Sequence, residues 1–222
     1  MKHKKELINR SYNFEVRASQ EEHGEENRSV IEGRAIVYDS MTDMGFMFEV
    51  IERGALENTD LTDVRFLVNH DISKIPLARS RKNNENSTMQ LTHDEKGLLI
   101  KVYLDTENNT EARNLYSAIQ RGDITGMSFM FSIADEEWED LDGEKPTHRI
   151  KEIASVVEVS AVTFPAYEDT EIYARDKSNL EKLRQDLERE KTCKRELENA
   201  SKLDFETRAL ITMYTGGAGN GK

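Results

Sequence analysis

The chain has 222 residues, of which 36% are hydrophobic and 33% are charged, and its formal net charge is −12. This composition predicts a globular body with a solvated appendage, and no apolar run reaches the roughly 18–20 residues of a membrane-spanning helix. The acidic balance disfavours direct binding to nucleic acid, because an acidic surface repels phosphate groups.

Alternating or β-rich segments predict strands along the first hundred residues. They cover residues 11–18, 29–38, 46–51, 64–71, 88–93 and 98–104. The last two flank the sequence DEKG, and Gly97 suits the positive φ that a hairpin turn requires.

The second half of the body contains a helix and two long β segments. Residues 110–121 predict an amphipathic helix with Thr110 as its N-cap and Gly122 after its last turn. Its apolar stripe consists of Ala112, Leu115, Tyr116 and Ile119. Residues 126–139 predict a long strand, and residues 148–166 predict two short strands or one bent strand that ends at Pro165. The body is therefore a β-rich α+β fold, and the strand pattern allows a barrel or a sandwich.

The composition changes near Asp176. Residues 176–222 hold ten Lys or Arg and nine Asp or Glu, which leaves 21 and 34 for residues 1–175. Leucines at helical spacing among charged residues predict an amphipathic helical tail that is coiled-coil-like or binds a partner. The glycine-rich end, TGGAGNGK, is predicted to be disordered. We therefore divide the chain into a body, residues 1–175, and a charged tail, residues 176–222.

His70 is the first candidate for chemistry. On a strand, Val64, Phe66, Val68 and His70 share one face, so His70 would end an apolar row where its proton affinity can be tuned. Taken alone, a partly buried histidine bonded to a backbone carbonyl is more common than a catalytic base.

Ser128 is a small hydroxyl residue among large apolar side chains in the segment GMSFMF, residues 126–131. A nucleophilic serine needs a base within hydrogen-bond reach and backbone N–H groups aimed at the developing oxyanion. Gly126 would let a substrate backbone approach closely. Taken alone, a serine packed on a strand is the more common case.

Glu158 is the only charged residue in VVEVSAV, residues 156–162. A buried carboxylate is costly unless it is paired, and one such role is to hold a histidine ring in the correct tautomer. The alternatives are a carboxylate that faces solvent on an edge strand and one paired with an arginine. Ser160 shares the face of Glu158 and is expected to hydrogen-bond to it.

Five segments in one order resemble the prohead serine protease family of tailed bacteriophages, over roughly residues 11–175. They are EGRAIVYDS with FMFEVIERGAL after it, then NHD, then a charged hairpin with KGL, then a helix that ends near G-x-I-x-G-M-S-F, then EVS-x-V-T-x-P-A. Each motif is weak alone, and the ordered set carries the resemblance.

The resemblance implies a fold related to the herpesvirus assembly proteases, a closed β-barrel flanked by helices, here with a C-terminal helical tail. It implies an endopeptidase that cleaves the major capsid protein, scaffold polypeptides and itself inside the immature prohead, in the host cytoplasm, and it allows a homo-oligomer. His70 would be the general base, Ser128 the nucleophile and Glu158 the residue that orients His70. Backbone N–H groups near Ser128, or Arg79, are candidates for the oxyanion hole.

Other functions remain open on the sequence alone. An acidic scaffold module that polymerises through its tail is the main alternative, and a fusion of protease and scaffold would combine both. A hydrolase of small molecules lacks support, because no G-x-S-x-G motif is present. The single cysteine, Cys193, and the scattered histidines give no zinc-ligand spacing, and nothing indicates a metal or organic cofactor.

Overall fold

The structure is a computed structural model that describes residues 7–12, 16–23, 26–163 and 177–215. The strands in these ranges are β1 Ile8–Tyr12, β2 Val16–His23, β3 Glu26–Val37, β4 Thr42–Asp43, β5 Phe48–Ile51, β6 Asp63–Val68, β7 Ala78–Arg81, β8 Met89–Asp94, β9 Gly97–Leu104, β10 Gly126–Glu139 and β11 Thr147–Val162. The helices are α1 Thr110–Arg121 and α2 Lys177–Thr215. The predicted β-rich α+β class is confirmed.

The strands form two sheets. The larger has the order β1-β10-β11-β5-β4, with β6 also paired to β11 and β7 paired to β6, and the smaller has the order β2-β3-β9-β8. Neither hydrogen-bonded order returns to its first strand, so the described strands form open sheets and the closed barrel is not confirmed. The predicted strand 11–18 was wrong as one element, because it falls on β1 and β2, which belong to different sheets.

The hairpin of β10 and β11 bends sharply. Through β10, strand β1 meets β11 near Val159, whereas β5 meets β11 near His148, eleven residues away and roughly 36 Å along a straight strand. Arg10 Nε of β1 nevertheless lies 2.6 Å from Glu49 Oε1 of β5. The register shifts in the middle of the hairpin supply the bend. Of the two alternatives for residues 148–166, one bent strand is therefore correct, while Pro165 lies outside the described residues.

The core lies between the two sheets and α1. Its largest fully buried side chains include Phe66 of β6, Phe129 and Phe131 of β10, and Ile31 and Ile36 of β3. The phenylalanine rings of β10 have centroids 4.8 Å apart. Because these residues point away from Ser128 along β10, core packing fixes the strand while leaving the face that carries Ser128 to polar contacts.

The turn between β8 and β9 depends on glycine, as predicted. Gly97 has a φ of 135°, and a Cβ built there would lie 2.0 Å from the carbonyl oxygen of Ile36. Only glycine accommodates both the backbone angle and this close approach.

Helix α1 has the predicted bounds and buries the predicted apolar stripe. Its N-cap is Asn109 rather than Thr110, because the extended Asn109 accepts hydrogen bonds from the backbone N–H groups of Glu111 and Ala112, at 2.9 and 3.2 Å. Gly122 ends the helix with a φ of 78°, which confirms the predicted C-terminal glycine.

Helix α2 contains the predicted tail helix and its first part packs on the body. Leu183 and Leu187 are 6% and 4% exposed, whereas Leu197 is 67% exposed. The Arg184 guanidinium lies 4.9 Å from the ring centroid of Phe46, and Cys193 is exposed. Among the helical residues that the structure describes, none forms a helix long and apolar enough to cross a membrane. The predicted disorder of the glycine-rich end falls on residues 216–222, outside the described ranges.

Candidate active site

His70 lies in a turn after β6, not on the strand as predicted. Strand β6 ends at Val68, and both Asn69 and His70 have positive φ, at 52° and 55°. This left-handed backbone costs free energy for residues other than glycine and persists where neighbouring contacts hold it. The Asn69 N–H donates to the Ala161 carbonyl at 3.0 Å, and the Asp71 N–H donates to the Val68 carbonyl at 3.1 Å. The turn therefore removes the His70 ring from the apolar row of β6.

The side chain of Asn69 fastens this turn to the end of β11. Its Nδ2 donates to Thr163 Oγ1 at 3.0 Å, and its Oδ1 accepts from the Thr163 N–H at 2.9 Å. Asparagine adopts the left-handed conformation more readily than most residues, so it suits both tasks. The sequence analysis did not identify this role, because the two residues are far apart in the chain.

Three neighbouring strands place the candidate residues together. Strand β11 lies between β6 and β10 here, so the turn after β6 can reach across it. His70 Nε2 lies 2.5 Å from Ser128 Oγ, and His70 Nδ1 lies 2.6 Å from Glu158 Oε2. The structure thus joins all three predicted residues in one hydrogen-bonded chain.

Ser160 completes the support of Glu158. It lies two residues further along β11, opposite Ser128 of β10, and its hydroxyl donates to Glu158 Oε1. The same hydroxyl accepts from the backbone N–H of His70 at 3.0 Å. Glu158 is 3% exposed, so it is neither the solvent-facing carboxylate nor the arginine partner that the sequence left open.

The partners of His70 set its tautomer. An ionised Glu158 only accepts hydrogen bonds, so Nδ1 of His70 carries a proton in this arrangement. In the neutral ring Nε2 then presents a lone pair to Ser128 Oγ. This is the arrangement in which a histidine can take a proton from a serine hydroxyl.

Strand β1 covers Ser128. It pairs antiparallel with β10 and sets Ser11 opposite Ser128, which is 0% exposed. The Arg10 carbonyl oxygen lies 2.8 Å from Ser128 Oγ. A hydroxyl has one proton, so Ser128 donates either to this carbonyl or to His70 at any moment.

Comparison with known proteins gives the chain a family. The sequence model of the caudovirus prohead serine proteases matches residues 13–185. The chain belongs to this family. The prohead protease of Enterobacteria phage HK97 is 31% identical over 155 residues, which are 68% of this chain and 62% of that protein, so the match spans less than two thirds of the relative's length.

A solved relative gives a weaker match. The bacteriophage T4 capsid assembly protease, gp21, aligns with a TM-score of 0.45 and 12% identity over 73% of this chain and 100% of that chain. The family match, unlike this one, covers His70, Ser128 and Glu158 within its matched residues.

A second polar cluster, absent from the sequence analysis, receives the Arg10 side chain. Arg10 and Glu49 are 3% and 0% exposed, and Arg10 Nε donates to Glu49 Oε1 at 2.6 Å. His148 lies between two carboxylates, with Nδ1 3.2 Å from Glu49 Oε2 and Nε2 2.7 Å from Glu136 Oε2. The Trp138 ring stacks on His148 at 4.5 Å.

Charge pairing governs protonation in this cluster. Burial alone would raise the pKa of Glu49, but the charge of Arg10 and hydrogen bonds from His148 and Arg10 lower it to about 2. Burial opposes the charged form of His148, yet hydrogen bonds and the charges of Glu136 and Glu49 raise its pKa overall. The cluster thus holds two carboxylates and two cations.

Arg79, a candidate for the oxyanion hole, has another partner. Its Nε and Nη2 donate to the two carboxylate oxygens of Asp63 at 2.5 and 2.7 Å. This two-point pair occupies the guanidinium on β7. Within the described ranges no three His, Cys, Asp or Glu side chains are grouped to hold a metal ion.

Proposed function

We propose that the chain is a serine endopeptidase that cleaves capsid and scaffold polypeptides, and itself, within the immature prohead in the host. The observation that carries this proposal is the contact of 2.5 Å between His70 Nε2 and Ser128 Oγ. Membership of the prohead serine protease family supports the same reaction and the same class of substrate.

The proposed reaction is acyl transfer. Ser128 Oγ attacks the carbonyl carbon of the scissile bond while His70 Nε2 takes the hydroxyl proton. His70 gives this proton to the leaving amine, and an ester with Ser128 remains. Water then attacks the ester, with His70 again as the base, and frees the new carboxylate. Glu158 stabilises the imidazolium and keeps Nδ1 protonated.

Strand β1 supports cleavage of the chain by itself. Extended peptides commonly bind by adding a strand to a sheet edge, and β1 adds to β10 in that way beside Ser128. A carbonyl oxygen 2.8 Å from Ser128 Oγ puts its carbon roughly 3–4 Å from that oxygen, near the distance of attack. We therefore propose that this form is inhibited by its own N-terminal strand and is relieved by cutting it.

The finer architecture follows the same reasoning. The contact between β1 and β5 supports a sheet that curls towards a barrel although its strand ladder is open. We propose residues 1–175 as the protease domain and residues 176–222 as an element that docks it to the scaffold or to other copies. Because Leu183 and Leu187 are buried, the test is a deletion of residues 200–222. Normal incorporation of the shortened chain into proheads would contradict a docking role for that segment.

Ser128→Ala tests the enzymatic function. We expect it to abolish both self-cleavage and trimming of the capsid protein in proheads, measured by mass spectrometry of the assembled particles. Fluorophosphonate labelling followed by peptide mapping should mark Ser128 in particles of the wild-type chain. Ser132→Ala is the matched control, because Ser132 lies on the same strand and bonds Ser155 at 2.9 Å. Normal trimming by Ser128→Ala would leave the non-enzymatic scaffold module as the better explanation.

A further inference from the structure

The cluster around Glu49 forms a buried acidic pocket, here called the Glu49 pocket and defined by Glu49, Glu136, Trp138 and His148. It is filled by the side chain of Arg10, which is 3% exposed. Glu49 supplies the direct contact, at 2.6 Å from Arg10 Nε. The stem and guanidinium are therefore enclosed, which is unusual for a charged residue of an edge strand.

The backbone of Arg10 links this pocket to the reaction. Its carbonyl is the one within 2.8 Å of Ser128 Oγ, so Arg10 is the residue that precedes the bond in position for attack. A substrate strand added to β10 in the register of β1 would direct the side chain of that residue into the same pocket.

We propose that the Glu49 pocket selects a basic side chain, arginine or lysine, immediately before the cleaved bond, first at Arg10–Ser11 and then in other substrates. This inference rests on the proposed protease function and names its cleavage preference. Glu49 acts as a specificity residue that contacts the substrate side chain.

The charges of the pocket explain the selection. Glu49 and Glu136 are carboxylates, and His148 between them supplies one positive charge, so the pocket keeps one negative charge unless a further cation enters. A buried carboxylate without a partner is costly, and a second carboxylate beside it more so. A neutral side chain forfeits the pair, and an acidic side chain is repelled.

The step balances with water as the only co-reactant. Ser128 Oγ bonds to the Arg10 carbonyl carbon, the bond from that carbon to the Ser11 nitrogen breaks, and the hydroxyl proton passes through His70 to the Ser11 amine. Water then adds its hydroxyl to the carbonyl carbon, and its proton returns through His70 to Ser128.

The first experiment changes the substrate and keeps the pocket intact. Proheads are assembled from the capsid and scaffold proteins with the full chain carrying Arg10→Lys, Arg10→Met or Arg10→Glu, and the new N-termini are mapped by mass spectrometry. We expect cleavage before Ser11 in the wild-type chain and in Arg10→Lys. Cleavage there should slow by at least about tenfold in Arg10→Met and further in Arg10→Glu. Arg17→Met, at an exposed position of β2, is the matched control and should be processed as the wild-type chain is.

The second experiment changes the pocket. Processed proheads are given peptides that differ only in Arg, Lys, Met or Glu before the scissile bond, and kcat/KM is compared. In Glu49→Gln the preference for Arg over Met should fall by about tenfold or more. Glu136→Gln is the control, because it disturbs His148 in the same way but leaves the contact with Arg10 in place.

The outcomes separate this inference from the proposed function. Equal processing of Arg10→Met and wild-type chains, or Ser128-dependent cleavage at bonds without a basic residue, overturns the pocket's role and leaves the protease intact. If the wild-type chain cuts no bond that Ser128→Ala fails to cut, both proposals fall. An equal loss of preference in Glu49→Gln and Glu136→Gln would reduce Glu49 to a structural role.

Discussion

His70 and His148 both sit against a buried glutamate, yet their second nitrogens face different groups. Beyond His70 lies the hydroxyl of Ser128, at 2.5 Å, whereas beyond His148 lies a second carboxylate, Glu136, at 2.7 Å. A hydroxyl can give up its proton to the ring, but a carboxylate only stabilises a ring that is already protonated. The group on the second nitrogen therefore separates a candidate base from a cation that holds the structure together.

Replacing each histidine by alanine should give the largest contrast. We expect His70→Ala to lower the rate of self-cleavage by roughly 10⁴-fold or more, because the base and its hydrogen bond to Ser128 are both lost. His148→Ala should instead lower the free energy of unfolding, since Glu49 and Glu136 lose the cation between them. Cleavage kinetics in proheads and urea unfolding of the purified chain measure the two effects. A His148→Ala chain that is as stable as the wild type and as inactive as His70→Ala would reverse the assignment.

The sequence analysis identified the His70 cluster but not the His148 cluster, and the reason is local. Ser128 and Glu158 are conspicuous because each is polar within an apolar strand, at 0% and 3% exposed. Arg10, Glu49 and His148 lie in charged surroundings, where nothing in the pattern marks them as buried. Only the bend of the β10–β11 hairpin brings them together, and no local pattern encodes that bend.

The same limit applies to the backbone of the site. Strands β9 and β10 and helix α1 follow from alternation, an apolar stripe and terminal glycines, and their bounds lie within one residue of those predicted. The turn at His70 does not follow, because its left-handed residues depend on Asn69 bonding to Thr163, a contact between distant segments. A strand was the wrong prediction for His70 even though it named the right residue.

Glu158→Gln tests the orienting half of the His70 cluster. The amide is nearly isosteric, but its NH₂ group can donate towards Nδ1 and so favour the wrong tautomer of His70. We expect a rate of self-cleavage lower by about 10²–10⁴-fold, with the free energy of unfolding changed little. Glu152→Gln, earlier on β11, is the control for a lost charge on that strand. Unimpaired cleavage by Glu158→Gln would remove Glu158 from the proposed triad.

The Glu49 carboxylate predicts acid sensitivity of the second cluster. Its pKa is lowered from 4.5 to about 2, so its stabilising contribution is present above pH 4.5 and is lost as the pH falls towards 2. The shift corresponds to roughly 3 kcal/mol as an upper value. Glu49→Gln should flatten the acid limb of the unfolding free energy, measured in urea between pH 2 and 5. An acid limb of unchanged steepness would contradict this account of the pair with Arg10.

His148 predicts the opposite limb. Its folded pKa is raised above 6.5, so its contribution is complete below pH 6.5 and declines as the pH rises through the folded value. Replacement by glutamine should therefore cost more stability at pH 6 than at pH 9. Equal losses at both values would mean that the ring is held as a neutral group.

Ser160→Ala should have the smallest effect, and it asks whether the His70 cluster needs its inner support. The hydroxyl donates to Glu158 and accepts from the backbone N–H of His70, so its loss frees one carboxylate oxygen and one N–H group. The two contacts to the His70 ring remain, and we expect cleavage to slow by about tenfold. Ser160→Thr keeps the hydroxyl and should recover part of the rate if hydrogen bonding is the cause. A loss as large as that of His70→Ala would instead mean that this hydroxyl, rather than the Glu158 contact, fixes the position of the ring.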